Sequence, residues 1–258
     1  DGQTLLGSTY LGTSQYDEAF FVQLDTDGDV FVVGQTEGGY PVSDDVYNNP
    51  NSGHFIQKLD PDLTTSLLST VVGNGNGGPN ISIAAFLVSN CDQIYISGWG
   101  GDTNMNSGGV ATSTTAGLPV TDDAFQPNTD GDDFYLMVLG PDAEDLVYAT
   151  FFGGATSNEH VDGGTSRFDK RGTVYQAVCA GCGGSDDFPT QPGVWSQTNN
   201  SSLANGQCNL GVFKFDLSTI TAQISIDGPN EICAGQEVNF INTTSVADEF
   251  EWDFGGIG

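Results

Sequence analysis

Three aspartates alternate in Asp25-Thr26-Asp27-Gly28-Asp29, the one-three-five spacing with which a calcium loop presents carboxylates. The twelfth position, where a bidentate Glu would complete the shell, is Thr36, and the residues between read as a strand. Calcium at Asp25, Asp27 and Asp29 is one expectation. The other is a hairpin turn, in which Asp-Gly supplies the positive φ that such turns need. The matching segment Asp169-Lys170-Arg171-Gly172-Thr173 carries two cations and favours the turn. Asp130, Asp132 and Asp133 form a second acidic turn with the same two readings.

Cysteine is the next candidate chemistry, and five in the chain suggest an oxidising location. Cys179 ends one expected strand and Cys208 precedes the next, at the same end of an antiparallel hairpin. A disulfide between them would close the long loop, and Cys182 competes for the same partner. Zinc would take Cys179, Cys182 and Cys208 with one more ligand, but no second C-x-x-C accompanies them. One dense polar cluster runs Glu159-His160-Val161-Asp162 and Arg167-Phe168-Asp169-Lys170-Arg171, in which His160, Asp162 and Arg167 could line a channel at one end of the ring. Neither G-x-S-x-G nor H-E-x-x-H occurs, so paired interior charges are the simpler expectation there. Gly73 to Gly78 spells G-x-G-x-x-G, yet a strand rather than a helix follows, which excludes a dinucleotide site. Trp99 and Trp195 stand beside long loops. Exposed, they would stack on sugar rings; buried, they would pack a sheet.

The elements that must position these groups repeat. Ser8-Thr9-Tyr10-Leu11-Gly12 returns as Ser69-Thr70-Val71-Val72-Gly73 and as Ala149-Thr150-Phe151-Phe152-Gly153. Further strands follow each in the same order, together with a Pro trailed by an apolar pair: Val46-Tyr47, Ala124-Phe125 and Val194-Trp195. Four short strands per unit at a spacing of several tens of residues predict an all-β chain: a β-propeller with three four-stranded blades. Blades are expected over 4–62, 64–142 and 145–219, within a domain over 1–222. A closed ring needs about four blades, so these three read as part of a larger one. Residues 223–258 change register and read as the start of a truncated β-sandwich.

Charge narrows the partners. Five Lys+Arg against 34 Asp+Glu give a net charge of −29, which excludes nucleic acid, whose binding needs a basic face. It also disfavours an anionic membrane surface, and no stretch approaches the roughly 20 apolar residues of a membrane helix.

The repeat marked by Ser8 to Gly12, Asp25 to Val33 and Phe188-Pro189-Thr190 resembles the bacterial SBBP-type propeller repeat. Gly235 to Phe240 with Trp252-Asp253-Phe254-Gly255 resembles the start of a PKD domain, an immunoglobulin-like sandwich. The combination is similar to large surface proteins of Bacteroidetes-type bacteria that leave by type IX secretion and are named for gliding motility. The resemblance implies export and a non-enzymatic structural or adhesive role at the cell surface. Its partners would be other surface proteins, copies of itself or extracellular polysaccharide, with no cofactor unless calcium. It supplies no catalytic residues. The alternative is a carbohydrate-binding module or part of a polysaccharide-degrading enzyme.

Overall fold

A computed structural model describes residues 2–201, 208–217, 224–227 and 238–242. The chain divides into two compact units, 1–217 and 218–258. In the second, β13 (Ile224–Asp227) pairs with β14 (Asn239–Asn242). The PKD-like signature, apart from Val238 to Phe240, lies outside the described residues.

The first unit is all-β: three four-stranded antiparallel sheets, none closed into a barrel. Sheet one runs β1 (Asp17–Leu24), β2 (Val30–Thr36), β3 (His54–Leu59) and β4 (Ser66–Val72), in that order across the sheet. Sheet two repeats the pattern with β5 (Ser82–Val88), β6 (Ile94–Trp99), β7 (Phe134–Leu139) and β8 (Leu146–Phe152). In sheet three the first strand is split into β9 (Asn158–His160) and β10 (Ser166–Phe168). Both pair with β11 (Thr173–Cys182), and β12 (Asn209–Asp216) lies beyond it. The split falls where Gly163-Gly164 removes the side chains that a continuous strand would pack.

The sheets are one strand out of phase with the units marked in the sequence. Ser69 to Val72, expected to open unit two, instead hydrogen-bonds with β3 and closes sheet one. Ala149 to Phe152 likewise closes sheet two against β7. Ser8 to Gly12 forms no strand at all. Similarity repeats along the chain, whereas a sheet is bounded by its hydrogen-bond ladder, and the two boundaries need not coincide.

Each hairpin between the second and first strands turns on one polar side chain. Asp25 Oδ1 accepts the amide hydrogens of Asp27 and Asp29, at 3.0 and 2.9 Å. Asp169 Oδ1 does the same for Arg171 and Thr173, and Ser89 Oγ for Cys91 and Gln93. Gly28 and Gly172 hold φ of 87° and 91°, the left-handed conformation that the turn needs.

The sheets stack face to face. Phe31, Val33 and Ile56 of sheet one meet Ile83, Ile96 and Met137 of sheet two in one core. The other face of sheet two, with Tyr95, Phe134 and Leu136, meets Val174, Val178 and Phe213 of sheet three. Sheet two is therefore covered on both sides, and β6 and β7 are buried throughout. Continuous apolar strands such as Phe134-Tyr135-Leu136-Met137-Val138-Leu139 are what two-sided burial selects. Polar ties cross between sheets. The Gln23 amide on β1 donates to Phe86 O and accepts from Val88 N on β5, and Ser97 donates to Gln176.

Candidate functional site

The densest polar chemistry lies around β9 and the turn that leads into it. Glu159 and Asp133 are both buried, 1% and 0% exposed. Glu159 Oε2 accepts from the Gly154 amide at 3.3 Å, and its Oε1 accepts from the Ser157 hydroxyl. Asp133 Oδ2 accepts from Gln126 at 3.1 Å, while its buried Oδ1 has no hydrogen-bond partner. A Cβ at Gly153 would lie 1.9 Å from Asp133 Oδ1 and 2.7 Å from Glu159 Oε2, so both carboxyl groups converge on this glycine. Burial pushes Glu159 up to about 7, against the hydrogen bonds from Ser157 and Gly154 and with the help of the Asp133 charge. Burial likewise lifts Asp133 to about 6. Both carboxyl groups are sealed from solvent where the chain turns into the third sheet.

That turn recurs. The residue after the outer-strand glycine donates its amide hydrogen to a side chain at the start of the next sheet. Thr13 donates to Asp17 Oδ2, Asn74 to Asn80 Oδ1 at 3.0 Å, and Gly154 to Glu159 Oε2. Asp17, Asn80 and Glu159 thus hold one structural position, a lock between the outer strand of one sheet and the inner strand of the next. Sequence reasoning did not join Asp133 to Glu159. Aligning the polar residue that follows each glycine turn would have marked position 159.

Beside the lock, His160 links two sulfur groups. Its Nε2 lies 3.2 Å from Asp162 Oδ1, and the Cys179 thiol donates to Asp162 Oδ2 at 2.9 Å. Its Nδ1 lies 3.5 Å from Cys182 Sγ. The disulfide joins Cys182, not Cys179, to Cys208. Strand β11 runs three residues past Cys179, which pairs in register with Leu210, so Cys182 is the residue left facing Cys208. Burial and the Asp162 charge raise the Cys179 thiol to about 11, which suppresses its thiolate and its nucleophilicity. Two groupings could offer ligands to a soft metal: His160 with Cys182 and Cys208, and His160 with Asp162 and Cys179. The first has both sulfurs engaged in the disulfide.

In the Asp25 turn the carboxylates gather around an ammonium. Lys58 Nζ lies 3.0 Å from Asp25, 3.4 Å from Asp29 and 3.0 Å from Asp142 of sheet two. Burial works against that charge, but the bonds from Asp142 and Asp25 outweigh it and hold the lysine above its ordinary range. Asp27 takes part only through its backbone amide. Asp132 of the second acidic turn accepts from the Asp102 amide, also as a turn group. Arg171 pairs with its neighbour Asp169 at the surface, 3.6 Å away.

The tryptophans part company. Trp99 is 8% exposed and tilts against the His160 ring, centroids 5.6 Å apart, which leaves no face for a sugar. Trp195 is wholly exposed. Buried His54 is a third group that the sequence did not mark. Its Nε2 accepts from the amides of Asn80 and Ile81 at 2.9 and 3.1 Å, so its proton sits on Nδ1 beside the Gly34 carbonyl. Burial drives its pKa down to about 4. Compared with known proteins, the chain matches no family model and no curated protein.

Proposed function

We propose that this chain is a non-enzymatic structural and adhesive segment of a secreted or cell-surface protein, built as an arc of a β-propeller followed by a sandwich module. The observation that carries this reading is the succession of three equivalent sheets. Sheets one and two each pass their outer strand through the same lock into the first strand of the next sheet, and sheet two stacks face to face on both neighbours. Such a series makes a scaffold. Its most perturbed acids are sealed inside it, where they brace turns rather than face a cleft.

The disulfide points to an oxidising, extracellular setting. The charge of −29 suits a salty medium that screens self-repulsion. Among the described residues no helix is long and apolar enough to cross a membrane. Surface biotinylation of intact cells should label the native protein, and the purified chain should turn over none of a panel of polysaccharides. Specific turnover, or a protein confined to the cell interior, overturns the proposal.

One observation favours a second reading, a polysaccharide-binding module. Trp195 presents a bare indole on a long loop, the kind of platform on which a sugar ring stacks. A glycan array comparing wild type with Trp195→Ala decides it. Binding that the substitution leaves unchanged removes this reading.

A further inference from the structure

Strand β12 lacks the partner that its counterparts have. β3 is covered by β4 and β7 by β8, whereas among the described residues no strand pairs with the outer edge of β12. Leu210 and Val212 alternate on the face of β12 that turns away from sheet two and are 75% and 72% exposed, since no further described sheet covers that face. The next described strand, β13, pairs with β14 instead.

The loop after β11 is incomplete in the same way. In sheet one the matching loop lies along β4, where the Tyr47 carbonyl accepts from the Thr70 hydroxyl and Asn49 N donates to Val71 O. In sheet two Gln126 N donates to Thr150 of β8. Trp195, at the position of Tyr47, packs on nothing.

The chain carries a third copy of the missing strand type. Thr4-Leu5-Leu6-Gly7-Ser8-Thr9-Tyr10-Leu11-Gly12 parallels Thr65 to Gly73 and Asp145 to Gly153. It makes no ladder, and Leu5, Leu6 and Tyr10 are exposed. Its far end is nonetheless held by the Thr13–Asp17 lock, which elsewhere leads out of an outer strand. The segment is posed as the outer strand of a sheet that is not its own.

We infer that residues Leu5 to Leu11 of one copy add to β12 of a second copy as its fourth, antiparallel strand. Strand addition to an exposed edge gives affinity through main-chain hydrogen bonds. The repeats set the register. Phe215 pairs with Val174 as Leu139 does with Ile94, and Leu139 and Phe134 face Leu146 and Phe152. Leu5 therefore falls opposite Phe215, Thr9 opposite Val212 and Leu11 opposite Leu210. Thr9 then reaches the Trp195 carbonyl as Thr70 reaches that of Tyr47.

A second copy is required because Leu11 packs against Tyr40 and Phe55, on the face of sheet one that turns away from sheet two. Sheet two separates that face from sheet three, so the Leu5 to Leu11 segment cannot reach β12 of its own copy. The contact is head-to-tail, and it closes a ring or extends a filament according to the rotation per step. The inference rests on the repeat of sheets and not on the surface role, so either can fail alone.

Sedimentation of the whole chain at high salt, where the charge is screened, tests it. Wild type should self-associate with rising concentration, and Tyr10→Pro should stay monomeric with an unchanged circular dichroism spectrum, since Tyr10 makes no ladder in the monomer. A second measurement mixes Thr9→Cys with Val212→Cys chains, each with Cys91, Cys179 and Cys233 replaced by Ser. The expected product is a disulfide-linked heterodimer, and a Gln15→Cys chain in place of Thr9→Cys should give none. Wild type that remains monomeric, association that Tyr10→Pro leaves intact, or a cross-link no stronger than the Gln15→Cys control overturns the inference.

Discussion

Asp133 and Glu159 direct one carboxyl oxygen each at the same glycine, Gly153. Burial lifts both above the usual carboxylate range, and the Asp133 charge adds to the lift of Glu159.

The pH dependence follows from that lift. Glu159 rises from 4.5 to about 7 on folding, so the native state binds the extra proton. Its contribution is present below the unfolded value and is lost as pH rises through the folded one. Urea unfolding of Glu159→Gln should show a variant that gains on wild type by on the order of 3 kcal/mol between about pH 4.5 and pH 8. A constant difference across that range would show that Glu159 is not proton-linked to folding.

His54 works in the opposite direction. Its folded pKa, lowered to about 4, lies below the unfolded 6.5, so stability is lost as pH falls from 6.5 toward 4. His54→Leu should remove that acid-side loss while costing about 2 kcal/mol at neutral pH, because the Asn80 and Ile81 amides lose their acceptor. An acid limb that survives the substitution assigns it to other groups.

Lys58 should be worth more than a surface ion pair. Lys58→Met leaves Asp25 and Asp29 facing each other and should cost about 3 kcal/mol by thermal or urea unfolding. In wild type, chelator should leave the melting temperature unmoved because the ammonium fills the site. A drop on adding chelator would put a metal there instead.

The disulfide assignment is open to a direct check. Cys182→Ser or Cys208→Ser should lower stability by about 3 kcal/mol, the loop-closure value for a bridge of this span. Cys179→Ser should change little, and peptide mapping should find Cys182 joined to Cys208. Loss of the bridge in Cys179→Ser would assign it to Cys179 and Cys208 instead.

Most strands were legible because short β-branched and aromatic runs between Gly, Pro and Asp signals survive as strands wherever they can pair. The phase of the sheets was not legible, since likeness between Ser69 to Gly73 and Ala149 to Gly153 says nothing about which neighbour each ladder joins. The cysteine pairing turned on where β11 ends, three residues that no local propensity marks. The occupant of the Asp25 turn comes from β3, and Asp142 from the next sheet, so no window along the sequence contains both. Among 34 acids, Asp133 and Glu159 look like the rest until burial separates them.

The offset between sequence repeat and sheet has a genetic consequence. A duplication or deletion of one whole repeat, as the sequence delimits it, adds or removes the first three strands of one sheet with the last strand of the sheet before. The neighbours at the new junction then find equivalent partners, because the lock residues Asp17, Asn80 and Glu159 occupy the same position at each boundary. Array length can therefore drift by whole units without inventing a new junction.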